Sequence, residues 1–452
     1  MTLGLGSISA HRLLRRLLHI SPPLSLAGLY AGFILLGGLC FKLPGAMLGE
    51  LSWSDAFFTA ASAVTVTGLS VVDAGTQFNL LGEAVLLVLI QLGGLGLMTF
   101  AVLVLAALKV PVGLTGQIYL SEELNQSSMH RLMRLVKRIF QVVLVCELAG
   151  AALLATSFVP MLGLGRGLWV SLFHAVSAFN NAGFSTFSDG LVPLAADPII
   201  NIVIPALFIV GGVGYVVIDD VIRNRRWGRF SLHTKIMLSG STILIFWGWG
   251  AFAALEWHNP GTLGQFDGAP LRLMVAWFQG VTPRTAGFNT VEMAEMHDST
   301  ALMVISLMLI GAGPTSTAGG IKVTTFVVMC LATVAFFQRR TQLNAFGRSI
   351  GLHEVLKVMA LTAISVIVVF VGVFLLAATQ EGHFLDVSFE VASAFGTVGL
   401  SRGFTGELTD PGRAVIVAIM FIGRVGPLTL GYFLATRSVP RVRYPEGRIH
   451  LG

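Results

Sequence analysis

Charged residues are scarce in this sequence. They make up only 12% of its 452 residues, whereas 54% are hydrophobic and the mean hydropathy is +0.81. Soluble domains carry about 25% charged residues, so the composition excludes that class and indicates an integral membrane protein.

Cysteine is also scarce. The three cysteines, Cys40, Cys146 and Cys330, are odd in number and lie within apolar stretches. A disulfide framework is therefore not expected, and we interpret these side chains as small buried hydrophobic groups.

Motifs for catalysis are missing. The sequence contains no HExxH, no GxSxG, and no His or carboxylate cluster with metal-ligand spacing. It therefore favours a protein that is not an enzyme over a multi-pass membrane enzyme. A cation-coupled secondary transporter of a different fold is a second alternative, and that class usually places acidic residues on broken helices. Here the acidic residues near apolar stretches show no repeated spacing and no partner lysine: Asp55, Glu83, Glu147, Glu256 and Glu390.

Long apolar stretches, by contrast, are frequent. A helix needs about 20 apolar residues to cross a membrane. Eight stretches qualify, near 23–43, 79–108, 138–160, 198–219, 233–256, 297–337 (with an interruption), 355–379 and 411–436. The first follows a basic segment as a signal peptide would, but it has no clear cleavage site, so we interpret it as a transmembrane helix.

Positive charges lie in alternate connections between these stretches. Of the 29 Lys and Arg residues, 21 lie in five segments, namely the N-terminus to residue 22, 109–138, 223–235, 339–357 and 437–452. The positive-inside rule places these segments and both termini in the cytoplasm. The basic excess thus predicts topology and contact with membrane lipids, rather than binding to nucleic acid.

A short motif centred on glycine recurs four times, at intervals of roughly 110 residues. The copies are Thr65-Val66-Thr67-Gly68-Leu69, Asn180-Asn181-Ala182-Gly183-Phe184, Thr282-Pro283-Arg284-Thr285-Ala286-Gly287-Phe288-Asn289 and Thr397-Val398-Gly399-Leu400. Such self-similarity indicates an internal repeat. We divide the chain into 1–108, 109–222 with a preceding cytoplasmic helix, 223–354, and 355–452 with a basic tail.

An apolar segment too short to span a membrane precedes each motif. These segments, 53–64, 169–179, 271–281 and 387–395, are therefore predicted to be re-entrant. Alignment on the glycine puts an aromatic residue ten positions upstream in every unit: Phe58, Phe173, Trp277 and Phe389. A serine lies six positions upstream in three units (Ser62, Ser177, Ser393), and Val281 departs from this pattern. His174 and Glu390 share a further aligned position, where we expect hydrogen bonding rather than a proton relay.

Four such turns around one axis would supply a ring of backbone carbonyls. Carbonyl rings replace the hydration shell of a monovalent cation in potassium channels, and glycine allows the positive φ and the close backbone approach that this needs.

The second long helices carry small-residue motifs as well, at 93–96, 211–214, 311–314 and 423–426. Close helix packing and a hinge both remain open as explanations. The third motif extends into a run that cannot continue a helix, and it predicts a flexible plug at 311–320, with a static kink as the alternative. The residues assigned to gating are Gly311, Gly313, Pro314, Thr315, Ser316, Thr317, Gly319, Gly320, Lys322 and Arg424. Arg424 lies inside a span, where a cation would oppose cation passage or hold the plug; Lys322 would do so or extend to the membrane surface.

The motif Thr282–Asn289, the four glycines and the count of eight spans resemble the Ktr/Trk/HKT superfamily of potassium uptake proteins. The early start of the first repeat is most similar to the bacterial KtrB type. The resemblance implies an all-α integral membrane fold, in which eight transmembrane helices form four M1–P–M2 repeats around one central pore.

The resemblance also implies a potassium filter, and the four glycines together go with a preference for potassium over sodium. The filter residues would be Val66, Thr67, Gly68, Asn181, Ala182, Gly183, Thr285, Ala286, Gly287, Thr397, Val398 and Gly399. It further implies a homodimer in the bacterial inner membrane and a cytoplasmic ring of KtrA-type nucleotide-binding subunits, with an intramembrane gating loop at 311–320. No nucleotide site is expected in this chain, and a role for sodium stays open.

Overall fold

The computed structural model describes residues 22–96, 129–340 and 342–426, with side chains from 27 and from 136 onward in the first two ranges. Most of the predicted cytoplasmic helix before the second repeat and the basic segments at both termini lie outside the described residues. So do the ends of the spans predicted at 79–108 and 411–436.

The described residues are mostly helical. The helices are α1 (Pro22–Phe41), α2 (Trp53–Thr65), α3 (Ala74–Gln77), α4 (Leu80–Leu95), α5 (Met129–Leu162), α6 (Leu164–Phe179), α7 (Pro198–Val213), α8 (Tyr215–Asn224), α9 (Leu232–Glu256), α10 (Ala269–Val281), α11 (Asp298–Leu309), α12 (Val323–Phe337), α13 (Leu352–Thr379), α14 (Phe384–Gly396) and α15 (Asp410–Val425).

One small sheet corrects the expectation of a purely helical chain. Strands β1 (Leu343–Ala345) and β2 (Arg348–Ile350) pair antiparallel, with Ala345 opposite Arg348. The two residues between the strands, Phe346 and Gly347, both have positive φ, as a tight hairpin turn requires. The sequence signal for this hairpin is a single glycine, Gly347, which is too little to predict two strands.

Several helices are long and apolar enough to cross a membrane. Among the described residues, three helices meet this criterion of length and composition alone: Val136–Leu162, Leu232–Glu256 and Leu352–Thr379. Helices α7 and α8 meet it only together, and they are bent by 94° relative to each other. The stretch predicted at 198–219 therefore corresponds to two helices with a sharp bend between them. The chain breaks at Gly214, whose φ of +100° ends the helix.

The span predicted at 297–337 is interrupted, as expected. Its helix ends at Leu309 and a new one begins at Val323. Further shorter apolar helices among the described residues are Ala27–Phe41 and Leu80–Leu95. A count of eight spans stays a prediction.

Helix packing closes the units into a ring. Each short helix (α2, α6, α10, α14) packs against the helix that precedes it in the same unit, respectively α1, α5, α9 and α13. The helix after each turn then packs on the short helix of the next unit, giving the pairs α4–α6, α7–α10, α11–α14 and α15–α2. The last pair joins the fourth unit to the first, so the arrangement is closed.

Burial follows the same division. The last two turns of each short helix are almost fully buried, with Phe58, Phe173, Phe278 and Phe389 at 0–1% exposure. The preceding long helices instead expose large apolar side chains such as Val145, Ile243 and Phe370. An apolar outer surface around a buried set of short helices is what a lipid environment requires.

Ion pairs between units hold the ring together at the ends of the helices. Arg166 of the second unit donates two hydrogen bonds of 2.7 Å to the buried Glu83 of the first. Arg413 of the fourth unit lies 2.9 Å from Asp55 of the first. These carboxylates lacked a partner lysine in the sequence, and the structure gives them arginines from other units.

Candidate functional site

The four glycine motifs form tight turns with one shared backbone pattern. Each glycine has positive φ, and so does the residue two positions before it. Those residues are Val66, Asn181, Thr285 and Thr397, and their φ angles are +55°, +59°, +67° and +49°, respectively. Three of the four are β-branched, for which this conformation costs about 1–3 kcal/mol. Strain of this size, repeated in every unit, marks a functional site.

Hydrogen bonds to the short helices fix the direction of each turn. The residue before each glycine donates its N–H to a carbonyl near the end of the short helix, at 2.8–3.0 Å. The four pairs are Thr67–Ser62, Ala182–Ser177, Ala286–Thr282 and Val398–Ser393. These bonds tie each turn to the end of its own short helix and satisfy the N–H group before each glycine.

Hydroxyl groups at the ends of the short helices add a second tie. The hydroxyls of Ser62 and Ser393 accept the N–H of Gly68 and Gly399 at 3.0 and 3.1 Å. Those of Ser177 and Thr282 donate to the carbonyls of Phe184 and Phe288, at 2.8 and 2.6 Å. Alignment of the four motifs on their glycines placed the equivalent position of the third unit at Val281, so the hydroxyl of Thr282 was not identified from the sequence.

The third unit is in fact offset by one residue. Its buried aromatic is Phe278, at 0% exposure, and not Trp277, which the alignment on glycine selected. The same offset moves the hydroxyl from position 281 to Thr282. One residue fewer separates the short helix from Gly287, so alignment on the glycine alone gave the wrong helix face.

The four turns meet in a closed ring, which we call the glycine ring (Gly68, Gly183, Gly287, Gly399 and the two residues before each). A Cβ atom added to Gly68 would lie 2.4 Å from the carbonyl oxygen of Ala182. The corresponding distances are 3.0 Å from Gly183 to Ala286, 2.2 Å from Gly287 to Val398 and 2.3 Å from Gly399 to Thr67. All twelve predicted filter residues are therefore brought together. The carbonyl before each glycine lies against the glycine of the preceding unit, and the carbonyl of the first unit lies against the glycine of the fourth.

A polar side chain behind the ring braces three of the four turns. Glu390 accepts from the hydroxyl of Ser401 at 2.8 Å, and a ring nitrogen of His174 lies 3.1 Å from the hydroxyl of Ser185. In the offset third unit, Gln279 accepts the N–H of Thr290 at 3.1 Å. Each brace joins a short helix to the residue eleven positions later. Alignment on the glycines identified only His174 and Glu390 as equivalent positions. Gln279 was not identified, because the third unit is offset by one residue.

An open vestibule adjoins the glycine ring on the side where the chain leaves the turns. Its volume is about 430 Å³, and the ring glycines, Asp73, Glu292, Asn289 and Arg402 contribute to its wall. Leu69, Phe184 and Leu400, which directly follow three of the glycines, also contribute to this wall, although each is only 1–2% exposed. The vestibule wall therefore contains both polar and apolar groups.

The segment 311–320 lies against the other side of the ring. The hydroxyl of Thr317 donates to the side-chain oxygen of Asn181 at 2.7 Å. A Cβ at Gly319 would lie 2.4 Å from the hydroxyl of Thr397. Backbone bonds join Gly313 to Gly212 at 2.8 Å and Tyr215 to Thr315 at 3.1 Å. This segment is hence packed directly beneath two of the four turns.

Two cations hold this segment. Arg424 donates to the carbonyls of Thr317 and of Gly93, and so links the segment to the first unit. Lys322 donates to the carbonyl of Ala318 at 2.5 Å, which closes the end of the segment instead of extending away from it. The remaining predicted gating residues, Gly311, Pro314, Ser316 and Gly320, form its backbone turns.

The small-residue motifs on the second helices combine close packing with a break in the helix. Cβ atoms added to Gly93, Gly211 and Gly423 would lie 2.2, 1.9 and 2.1 Å from carbonyls near the ends of short helices, so these glycines are packing sites. The later glycines of the same motifs, Gly96, Gly214 and Gly426, have positive φ and end their helices. Packing and a break in the helix therefore occur side by side.

A family model for TrkH, described as a cation transport protein, matches residues 46–437. The chain belongs to this family. It is 45% identical to the Ktr system potassium uptake protein B of Bacillus subtilis (strain 168), over 96% of this chain and 97% of that protein. Similarity to the protein of the same name from Vibrio alginolyticus is 42%, over 94% and 93%.

Two further relatives extend the comparison. The potassium/sodium uptake protein NtpJ of Enterococcus hirae is 36% identical over 96% of this chain and 98% of that protein. The crystal structure of the potassium transporter TrkH from Vibrio parahaemolyticus superposes with a TM-score of 0.73, at 20% identity, and covers 92% of this chain and 86% of that one. The TrkH fold thus extends through nearly the whole chain.

Proposed function

We propose that this chain is the ion-translocating subunit of a potassium uptake system and not an enzyme. The observation that carries the proposal is the closure of the glycine ring, in which four turns with positive φ bring carbonyl oxygens close to the glycines of neighbouring units. Relatives at 45% and 42% identity are named potassium uptake proteins, which supports potassium as the ion. The name of NtpJ adds sodium as a second candidate ion.

The proposed path runs from the vestibule through the glycine ring to the segment 311–320. Potassium would exchange its hydration shell for the carbonyls of the twelve ring residues. The segment 311–320, which contacts Asn181 and is held by Arg424, would then act as the gate. Its many backbone bonds to other units favour a closed plug over a static kink.

The wider assembly belongs to the same proposal. We infer four M1–P–M2 units with eight membrane spans, bounded at residues 108, 222 and 354, and both termini in the cytoplasm of a bacterial inner membrane. A homodimer and a separate nucleotide-binding regulatory ring of the KtrA type complete it. The word "system" in the relatives' names supports a partner protein.

The test is growth of a potassium-uptake-deficient bacterium on low-potassium medium, with and without a KtrA-type partner. We expect rescue by the native chain and loss of potassium selectivity over sodium in Gly287→Ser, because its Cβ would lie 2.2 Å from the carbonyl oxygen of Val398. Gly250→Ser is the matched control, since nothing lies within 4 Å of a Cβ there. Absence of rescue despite good membrane expression would contradict the proposal, as would an unchanged potassium-to-sodium ratio in Gly287→Ser.

The four glycines should differ in sensitivity. At Gly183 the closest atom to an added Cβ is 2.9 Å away, whereas at the other three positions a carbonyl oxygen lies at 2.2–2.4 Å. Gly183→Ser should therefore reduce selectivity least. Equal loss of selectivity at all four positions would contradict this geometric account.

A further inference from the structure

One arginine directly beside the glycine ring has no counter-charge among the described residues. Arg284 lies in the third turn, directly before Thr285, and its exposure is only 7%. Its guanidinium donates to the carbonyl and the hydroxyl of Ser241, at 3.2 and 3.4 Å. Within the described part of the chain no carboxylate lies within 4.0 Å of it.

Four other arginines among the described residues are better satisfied. Arg166, Arg402 and Arg413 pair with carboxylates, and Arg272 donates to three carbonyls at 2.8–3.2 Å. Compared with Arg272, Arg284 makes fewer and longer hydrogen bonds. A buried charge without a partner is strongly unfavourable, so something else must compensate it.

A small cavity lies beside this guanidinium. Its volume is about 20 Å³, and its wall includes Phe208, Gly212, Val281, Arg284 and Ala312. The Nε atom of Arg284 is buried and has no hydrogen-bond partner. A cavity of this size holds about one particle the size of a water molecule, and a halide ion is only slightly larger.

We propose that this cavity binds one small inorganic anion, of the size and charge of chloride, against the free edge of Arg284. The guanidinium supplies the charge and a free N–H donor. The small volume excludes a larger oxyanion or a lipid headgroup, and the wall is apolar apart from Ser241 and Arg284. A neutral water molecule could fill the space, but it would leave the charge uncompensated. The ligand class that the site fits is therefore a monoatomic anion.

The anion would touch the proposed gate as well as the ring. Ala312 and Gly212, which line the cavity, sit where the segment 311–320 joins its neighbours. The N–H of Gly313 donates to the carbonyl of Gly212 at 2.8 Å, and that of Val323 donates to Ala312 at 3.1 Å. Occupancy of the cavity would thus stabilise the join between the segment and the second unit.

Bromide provides a direct probe. Crystals of the full-length protein in bromide should show an anomalous peak in contact with Nε of Arg284, and the peak should be lost in Arg284→Gln. Arg272→Gln, which removes a different arginine, should keep it. Absence of the peak in the native protein, or its persistence in Arg284→Gln, would overturn the proposal.

A solution measurement covers variants that fail to crystallise. The unfolding temperature of the detergent-solubilised protein should rise with chloride relative to gluconate, at constant potassium. This rise should be lost in Ala312→Val, which fills the cavity and keeps the arginine, and be retained in Arg272→Gln. An equal rise in all variants would refute a specific site. Neither readout depends on transport, so the result is independent of whether the filter proposal holds.

Discussion

The contact between Thr317 and Asn181 offers a sharp test of the gate. Thr317 is fully buried, and its hydroxyl makes the 2.7 Å bond that joins the segment 311–320 to the second turn of the glycine ring. Thr317→Val keeps the shape of the side chain and removes only this donor. The backbone bonds of residue 317 to Gly211 and Arg424 remain available.

The magnitude follows from the bond that is lost. A single hydrogen bond contributes about 1 kcal/mol, and leaving a buried acceptor unsatisfied costs about 1–3 kcal/mol. A destabilisation of the closed segment by about 1–2 kcal/mol changes the ratio of open to closed forms by a factor of about 5–30. Basal potassium flux without a partner subunit should rise by a similar factor, provided that opening limits flux.

The assay is uptake of a rubidium tracer into proteoliposomes that contain equal amounts of folded protein. Thr333→Val is the matched control, because its hydroxyl bonds only to Met329 in its own helix, at 3.0 Å, and is exposed. Unchanged or lower flux in Thr317→Val, or an equal increase in the control, would refute the assignment of this segment as the gate.

Three further predictions concern other parts of the molecule. Shortening the segment 311–320 should raise flux without the partner subunit; folded, membrane-inserted protein with unchanged flux would count against a plug. Arg166→Gln should lower the unfolding temperature, because it leaves the buried Glu83 without its arginine at a cost of about 1.5–3 kcal/mol. In the same thermal unfolding measurement, the double variant that also carries Glu83→Gln should recover part of this loss. Ser393→Ala removes the hydroxyl that accepts a ring glycine's N–H at 3.1 Å and should reduce potassium-over-sodium selectivity in competition uptake, whereas Ser388→Ala, whose hydroxyl bonds within its own helix, should not.

The glycine ring was accessible from the sequence because its physical demands are local. Only glycine tolerates the close approach of a neighbouring carbonyl at positions such as Gly287, so the motif had to recur in every unit. The short helices before the turns were predicted from length alone, since a dozen residues cannot span a membrane. Their upstream boundaries were less accurate; the second begins at Leu164 and not at 169.

Other features depend on contacts between distant parts of the chain. The pairs Glu83–Arg166 and Asp55–Arg413 join different units, and no local spacing predicts them. The position of Arg424 within a span was visible, but not that its donors reach Thr317 and Gly93. The offset in the third unit was missed because a motif aligned on one glycine carries no information on where the preceding helix ends.

The closed packing order of the four units has an evolutionary consequence. The ring is built from four quarters that are encoded separately, with Thr67, Ala182, Ala286 and Val398 before the four glycines. In a pore made of identical subunits, a single codon change alters every quarter at once. Here it alters one carbonyl position and leaves three untouched, so under the proposed function ion preference would drift in small steps without loss of the pore.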